Sequence, residues 1–296
     1  MATERLNARL TSHLIGVLGV LLTLSPRVAS ADEAGPGSPF AIRLAVDLPV
    51  TLGSGVLVLG SELAQSELPG PACGTGCDAS QVNILDRISI GSHLRAAQTA
   101  SDVLVGVNVG LPFVLDFIDV LVSHPADGWR GYGEDALVLA EVLAVNLGLN
   151  AVFKYAVRRP RPLVYDPDPT AFTPEERTAA DAALSFYSSH SAVSFSLATA
   201  YSYLFMRRHP DSPLRIAVWL VSEGLAATTA ALRVVAGKHF ITDVLTGAAI
   251  GGATGVLIPY LHQRALPTGL GAFARDHRFS VSPMAIPGAG LLITVQ

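Results

Sequence analysis

Six apolar stretches, at roughly residues 42–59, 100–122, 135–157, 191–206, 214–235 and 241–261, set the strongest limit on how this chain can fold. Each approaches the ~20 residues that a helix needs to cross a bilayer core. None is uniformly apolar, because Asp47, Asp116, Asp119, Glu141, Asn146 and Glu223 interrupt them. Such groups are costly in lipid, so they are expected to face a bundle interior or a wet cavity. The chain is 50% hydrophobic and 15% charged, against about 25% charge in an ordinary soluble domain. The small residues of Gly247–Gly252 allow helices to approach closely. These features predict an all-α antiparallel bundle of about six transmembrane helices; the alternative is a soluble, exported all-helical protein.

The remaining segments read as appendages. Arg5 and Arg9 precede the apolar run 14–24, and Ala29-Ser30-Ala31 ends in a small-x-small pattern, so residues 1–31 are expected to be a signal peptide or an uncleaved N-terminal anchor. Residues 40–94 hold the first apolar helix and a Gly/Pro-rich connection with the only two cysteines, Cys73 and Cys77. No histidine lies nearby to complete a zinc set, so a small disulfide loop in an oxidising compartment is favoured over zinc or a dithiol redox motif. Residues 95–262 are expected to form the catalytic domain. In the tail, 263–296, two short runs flank Pro287-Gly288-Ala289-Gly290, a pattern suited to a β-hairpin or a plain exposed tail. A net charge of −4 leaves no cationic field for nucleic acid, and nothing in the sequence names a protein partner.

Three short stretches between the apolar runs carry chemistry. In residues 154–162, Lys154 lies near a helix end, Pro160 and Pro162 stop that helix, and Arg158, Arg159 and Arg161 collect where it becomes loop. Alone, such a cluster reads as a positive membrane flank. In residues 187–191, Ser188, Ser189 and His190 stand immediately before the next apolar run. The first-turn N–H groups of a helix have no internal acceptor and suit an oxyanion. Ser188 can add a hydroxyl, and His190 can protonate a leaving alkoxide. In residues 233–243, Gly237 breaks one helix from the next, and His239 and Asp243 share a face. Asp243 is then expected to accept one ring proton of His239, freeing the other nitrogen to attack phosphorus, with Arg233 turned toward the same anion.

Together these stretches resemble the phosphatidic acid phosphatase type 2/haloperoxidase superfamily. That family's pattern is a lysine with six residues before Arg-Pro, then Pro-Ser-Gly-His, then Ser-Arg with five residues before His and three more before Asp. Lys154, Arg161 and Pro162 satisfy the first part, Ser188 and His190 the second, and Arg233, His239 and Asp243 the third. Tyr187, Ser189 and Leu232 depart from it, standing where the family has proline, glycine and serine. The resemblance spans roughly residues 95–262. It implies a bundle of that family's type in which Lys154, Arg161 and Arg233 hold phosphate oxygens, assisted by Ser188 and the Ser189 N–H.

The resemblance further implies metal-independent hydrolysis of a phosphate monoester or diphosphate, through a phosphohistidine on His239 with His190 as acid and then base. The expected substrate is a phosphorylated lipid or isoprenoid at a membrane. No cofactor is expected. Vanadate would bind as an inhibitor, or as the cofactor in the alternative reading of a haloperoxidase; a non-catalytic phospholipid-binding protein is the non-enzyme alternative. Residues 61–98 are acidic and Arg207, Arg208 and Arg215 make the short fourth connection basic, which places the motifs on the periplasmic face of a bacterial-type inner membrane. A cleaved signal followed by six spans would reverse that parity. A soluble periplasmic protein is the other placement.

Overall fold

The computed structural model describes residues 38–74, 76–264, 279–283 and 291–295; the export segment at 1–31 lies outside them. The helices are α1 (Leu44–Gln65), α2 (Ile84–Arg87), α3 (Arg95–Ser123), α4 (Gly128–Val157), α5 (Pro174–Thr178), α6 (Ser189–Arg208), α7 (Arg215–Val235) and α8 (Ile241–Leu261). In residues 263–296, a unit separate from the helical body, β1 (Phe279–Pro283) and β2 (Leu291–Val295) pair antiparallel, with Phe279 opposite Val295. The body is an all-α bundle.

Each long apolar run became one long helix. Short connections at 124–127, 209–214 and 236–240 make successive helices antiparallel. The ends of α1, α4 and α7 therefore meet the starts of α3, α6 and α8 at one end of the bundle. Connections 66–94 and 158–188 share that end: Arg158 Nη2 donates to Pro69 O at 2.6 Å, Cys77 N to Val164 O at 3.2 Å, and Arg95 pairs with Glu176 at 3.2 Å. Cys73 and Cys77 are joined as a disulfide.

Five of these helices, where about six were expected, are long and apolar enough to cross a membrane. The exception is α6. It packs against α3, α4, α7 and α8, and its buried residues include Ser191, Ser194, Ser196 and Ser202. A helix surrounded by other helices need not be apolar toward lipid, so small polar residues replace large apolar ones. The outer helices show the reverse. Leu44, Leu48, Leu52, Val56, Leu59 and Leu63 form a stripe along α1, all more than half exposed, and α1 buries no residue. A continuous exposed apolar face of this length suits lipid rather than water.

Close packing of α6 on α8 rests on three glycines one turn apart. A Cβ at Gly247 would lie 2.7 Å from Ser188 O, at Gly251 2.3 Å from Ala192 O, and at Gly255 2.4 Å from Ser196 O. The interrupting polar residues turn inward, as expected. Asp116, Glu141 and Asn146 are buried, Asn146 Nδ2 donates to Thr254 Oγ1 at 3.1 Å, and Glu223 accepts from Thr199 Oγ1 at 2.7 Å. Asn108, from α3, bridges Ser194 and Thr229 at 3.1 and 3.0 Å. At the far end Arg208 is partly buried and paired with Asp127 and Asp135. Its charge is thus spent inside the protein, leaving Arg207 and Arg215 as the basic flank.

Candidate active site

The three stretches meet at the end of the bundle shared by α4, α6 and α8. Helix α4 ends at Arg158, which takes the left-handed conformation (φ 48°) and donates its N–H to Lys154 O at 3.0 Å. Non-helical backbone through Pro160 then leads to Arg161, itself extended, before a short 3-10 turn begins at Pro162. Arg161, almost fully buried, donates to Asp181 O at 2.9 Å, Asp181 Oδ1 at 2.7 Å and Lys238 O at 2.9 Å. Its Nη1 also lies 3.0 Å from His239 Nε2.

That contact fixes the state of His239. A guanidinium can only donate, so Nε2 carries the lone pair and Nδ1 the proton. Nδ1 lies 2.9 Å from Ser185 O, which accepts that proton. The expected direct bond to Asp243 is not formed: Asp243 Oδ2 stands 3.8 Å from Nδ1, too far for one. The Asp243 carboxylate instead accepts from Ser185 Oγ at 2.5 Å, Phe240 N at 3.0 Å and Arg159 Nη1 at 2.7 Å. It acts on His239 through the residue whose carbonyl holds the ring. Burial first, then the charges of Arg161, Arg233 and Lys154, hold His239 well below the usual imidazole range, so the ring is neutral at pH 7.

Gly237 makes this approach feasible. Its φ is +66°, and a Cβ there would fall 1.9 Å from Ser92 O. Ser188 is the N-cap of α6, its hydroxyl accepting from Ser191 N at 3.4 Å and its own N–H donating to Asp243 O at 3.1 Å. Ser189 and His190 occupy the first turn, where N–H groups have no intrahelical acceptor. Tyr187, fully buried against Phe153, walls the site and accepts through its carbonyl from Asn150 Nδ2 at 2.8 Å.

Sequence reading missed Asp102. This carboxylate, from the first turns of α3, lies 2.9 Å from both His190 Nε2 and Arg233 Nη1, while Arg233 also donates to Ser101 Oγ at 3.1 Å. Burial and then the Arg233 charge press His190 down to about 4, against the raising effect of Asp102. Also missed were Ser185, Asp181 and the clamp made by Arg159. Arg159 reaches Asp86 Oδ2 at 2.7 Å as well as Asp243 and stacks 4.1 Å over Phe240. No local spacing could have signalled these, since the partners lie tens of residues apart.

Lys154 and Ser189 line a cavity of about 80 Å³. It shares Ser61, Ala151 and Tyr155 with an apolar groove of about 150 Å³ between α1 and α4. The site thus has cations around a neutral imidazole lone pair, a second imidazole at its rim, and an apolar slot beside it. Such a set can bind a tetrahedral oxyanion, vanadate included, and offer it a nucleophile.

Among curated proteins none matches the chain. A solved structure, a transmembrane PAP2-type phosphatidylglycerolphosphate phosphatase from Bacillus subtilis, is 22% identical, with a TM-score of 0.41, covering 72% of this chain and 93% of that one. The PAP2 superfamily model matches residues 135–267, a segment that includes all three motif stretches.

Proposed function

We propose that this protein is a membrane lipid phosphatase that hydrolyses a phosphate monoester or diphosphate without a catalytic metal, through a phosphohistidine on His239. The observation that carries the reading is the Arg161–His239 contact, which aims the imidazole lone pair at the cation that would hold the substrate. Lys154, Arg161 and Arg233 bind the non-bridging oxygens, with the first-turn N–H groups of α6 completing the cradle. His239 Nε2 attacks phosphorus, and the bond from phosphorus to the leaving oxygen breaks. His190 gives that oxygen a proton. Bound phosphate offsets the Arg233 charge that depresses His190 in the free site, which restores its capacity as an acid. Water, deprotonated by His190, then displaces phosphate from Nε2.

The groove between α1 and α4 supports a lipid or isoprenoid substrate, because Val56, Leu57, Gly60 and Ala64 line it and it shares Ser61, Ala151 and Tyr155 with the cavity that Lys154 lines. The Cys73–Cys77 disulfide at the motif-bearing end supports a site facing an oxidising compartment, as in the periplasm. The test is phosphate release by the purified protein from phosphatidate, phosphatidylglycerol phosphate, undecaprenyl diphosphate, lipid A phosphate and a soluble phosphomonoester. His239→Ala should abolish both turnover and an acid-labile phosphoprotein, while brief chelation leaves the initial rate intact. Ala151→Phe should raise KM for the lipid substrate alone. Full turnover by His239→Ala would overturn the mechanism.

A further inference from the structure

A second polar cluster lies at the far end of the bundle, on residues that phosphate hydrolysis does not use. Asp47 in the first turn of α1, Glu141 within α4 and His262 just after α8 each offer an atom within 4.8 Å of the others. Glu141 precedes Lys154 by 13 residues on one helix, about 20 Å along its axis. Sequence reading found no metal-ligand cluster here, because the three residues come from segments about a hundred residues apart.

The geometry around His262 is that of a ligand. Its Nδ1 lies 2.8 Å from Ile258 O; a carbonyl only accepts, so Nδ1 carries the proton. Nε2 then stands 3.3 Å from each of two carboxylate oxygens, Asp47 Oδ2 and Glu141 Oε2. Burial opposes the imidazolium, but these carboxylates push His262 up to about 10, so an ion bound there displaces a proton. Nε2 is buried and has no hydrogen-bond partner. A charge-assisted hydrogen bond would be about 2.7–2.9 Å. Donors bound at 2.0–2.1 Å to one tetrahedral ion stand roughly 3.3–3.4 Å apart, which matches both distances. A backbone carbonyl on the opposite ring nitrogen is the usual device that orients a metal-bound histidine. Asp47 Oδ2 is likewise held by Arg43 N at 2.5 Å. The two carboxylates carry a charge that a divalent ion would balance once the imidazole proton is displaced, whereas the Arg43 guanidinium points to Leu261 O instead.

We propose that Asp47, Glu141 and His262 bind a divalent transition-metal ion of the zinc class, with water as the fourth ligand. The ion ties α1, which buries no residue of its own, to α4 and the end of α8. It is structural and independent of the hydrolytic reading.

Tag-free full-length protein, stripped by chelator in detergent, would be titrated with Zn²⁺ against a chromophoric chelator and with Co²⁺ while visible d–d bands are followed. One equivalent should bind, with tetrahedral Co²⁺ bands, and Zn²⁺ should raise the thermal midpoint. Glu141→Gln and His262→Ala, each checked for folding by circular dichroism and elution volume, should bind at least about tenfold more weakly and lose the midpoint shift. Should His262→Ala fail to fold, Asp47→Asn replaces it. No stoichiometric binding by the wild type, or equal affinity in the variants, would overturn the proposal in favour of a buried imidazolium paired with both carboxylates.

Discussion

Asp102 Oδ1 and His190 Nε2 stand 2.9 Å apart, and the same oxygen is 2.9 Å from Arg233 Nη1. One carboxylate therefore occupies the two groups that, in the proposed mechanism, must turn to the substrate. It competes with phosphate for Arg233 and supports a proton on His190.

Asp102→Asn separates these effects. Removing the carboxylate removes a cause that raises His190, so the alkaline limb of kcat should move to lower pH. Arg233 loses its competing anion, so KM should fall. A pH series of kcat and KM in both proteins checks this; an unchanged profile would show that Asp102 is a bystander.

Arg159 is a positioning residue for His239. It holds Asp243 and Asp86 with separate nitrogens, both at 2.7 Å, and lysine cannot span the two. Arg159→Lys should lower kcat by up to about 10²-fold through misplacement of the Asp243–Ser185–His239 chain, with KM little changed. A matching rise in KM would instead place Arg159 on the substrate.

His239 also makes stability depend on pH. Its folded pKa lies below its unfolded value of 6.5, so below that pH the unfolded chain binds the proton first and the folded state loses stability as pH falls. Between pH 7 and pH 5, the thermal midpoint of the wild type in detergent should drop further than that of His239→Gln. Parallel drops would mean that other groups control the acid limb.

Gly251→Ala tests the α6–α8 contact. Its Cβ would meet Ala192 O at 2.3 Å, and the atoms it meets are all Ala192 backbone, so one helix must move. A loss of about 1–3 kcal/mol is expected, lowering the midpoint by several degrees. Activity should fall as well, since α6 carries Ser188 and His190. An unaltered midpoint would show that the helices are farther apart.

Sidedness can be read from single cysteines in a background lacking Cys73 and Cys77. Glu175→Cys on the motif end should react with a membrane-impermeant thiol reagent in intact cells, and Asp211→Cys at the far end should be protected. The opposite pattern would invert the orientation, and labelling of both only after outer-membrane permeabilisation would indicate a soluble exported bundle.

The sequence by itself determined the helices and the identity of the chemical groups at the motif end. Apolar runs of spanning length fix helix count and alternation, and prolines, glycine and the Ser188 cap fix where those helices stop, so the three motifs had to reach one end. Whatever depends on how neighbouring helices cross was left to tertiary structure. Spacing put His239 and Asp243 on one face, yet the Ser185 carbonyl won Nδ1 because the loop before α6 passes closer to the ring. Asp102 on Arg233, Arg159 on Asp86, and Asp47 and Glu141 around His262 are likewise pairings between elements distant in sequence. The polarity of α6 follows the same rule. Its serines look out of place beside apolar helices of spanning length until four of those helices surround it, with Gly247, Gly251 and Gly255 letting α8 approach closely.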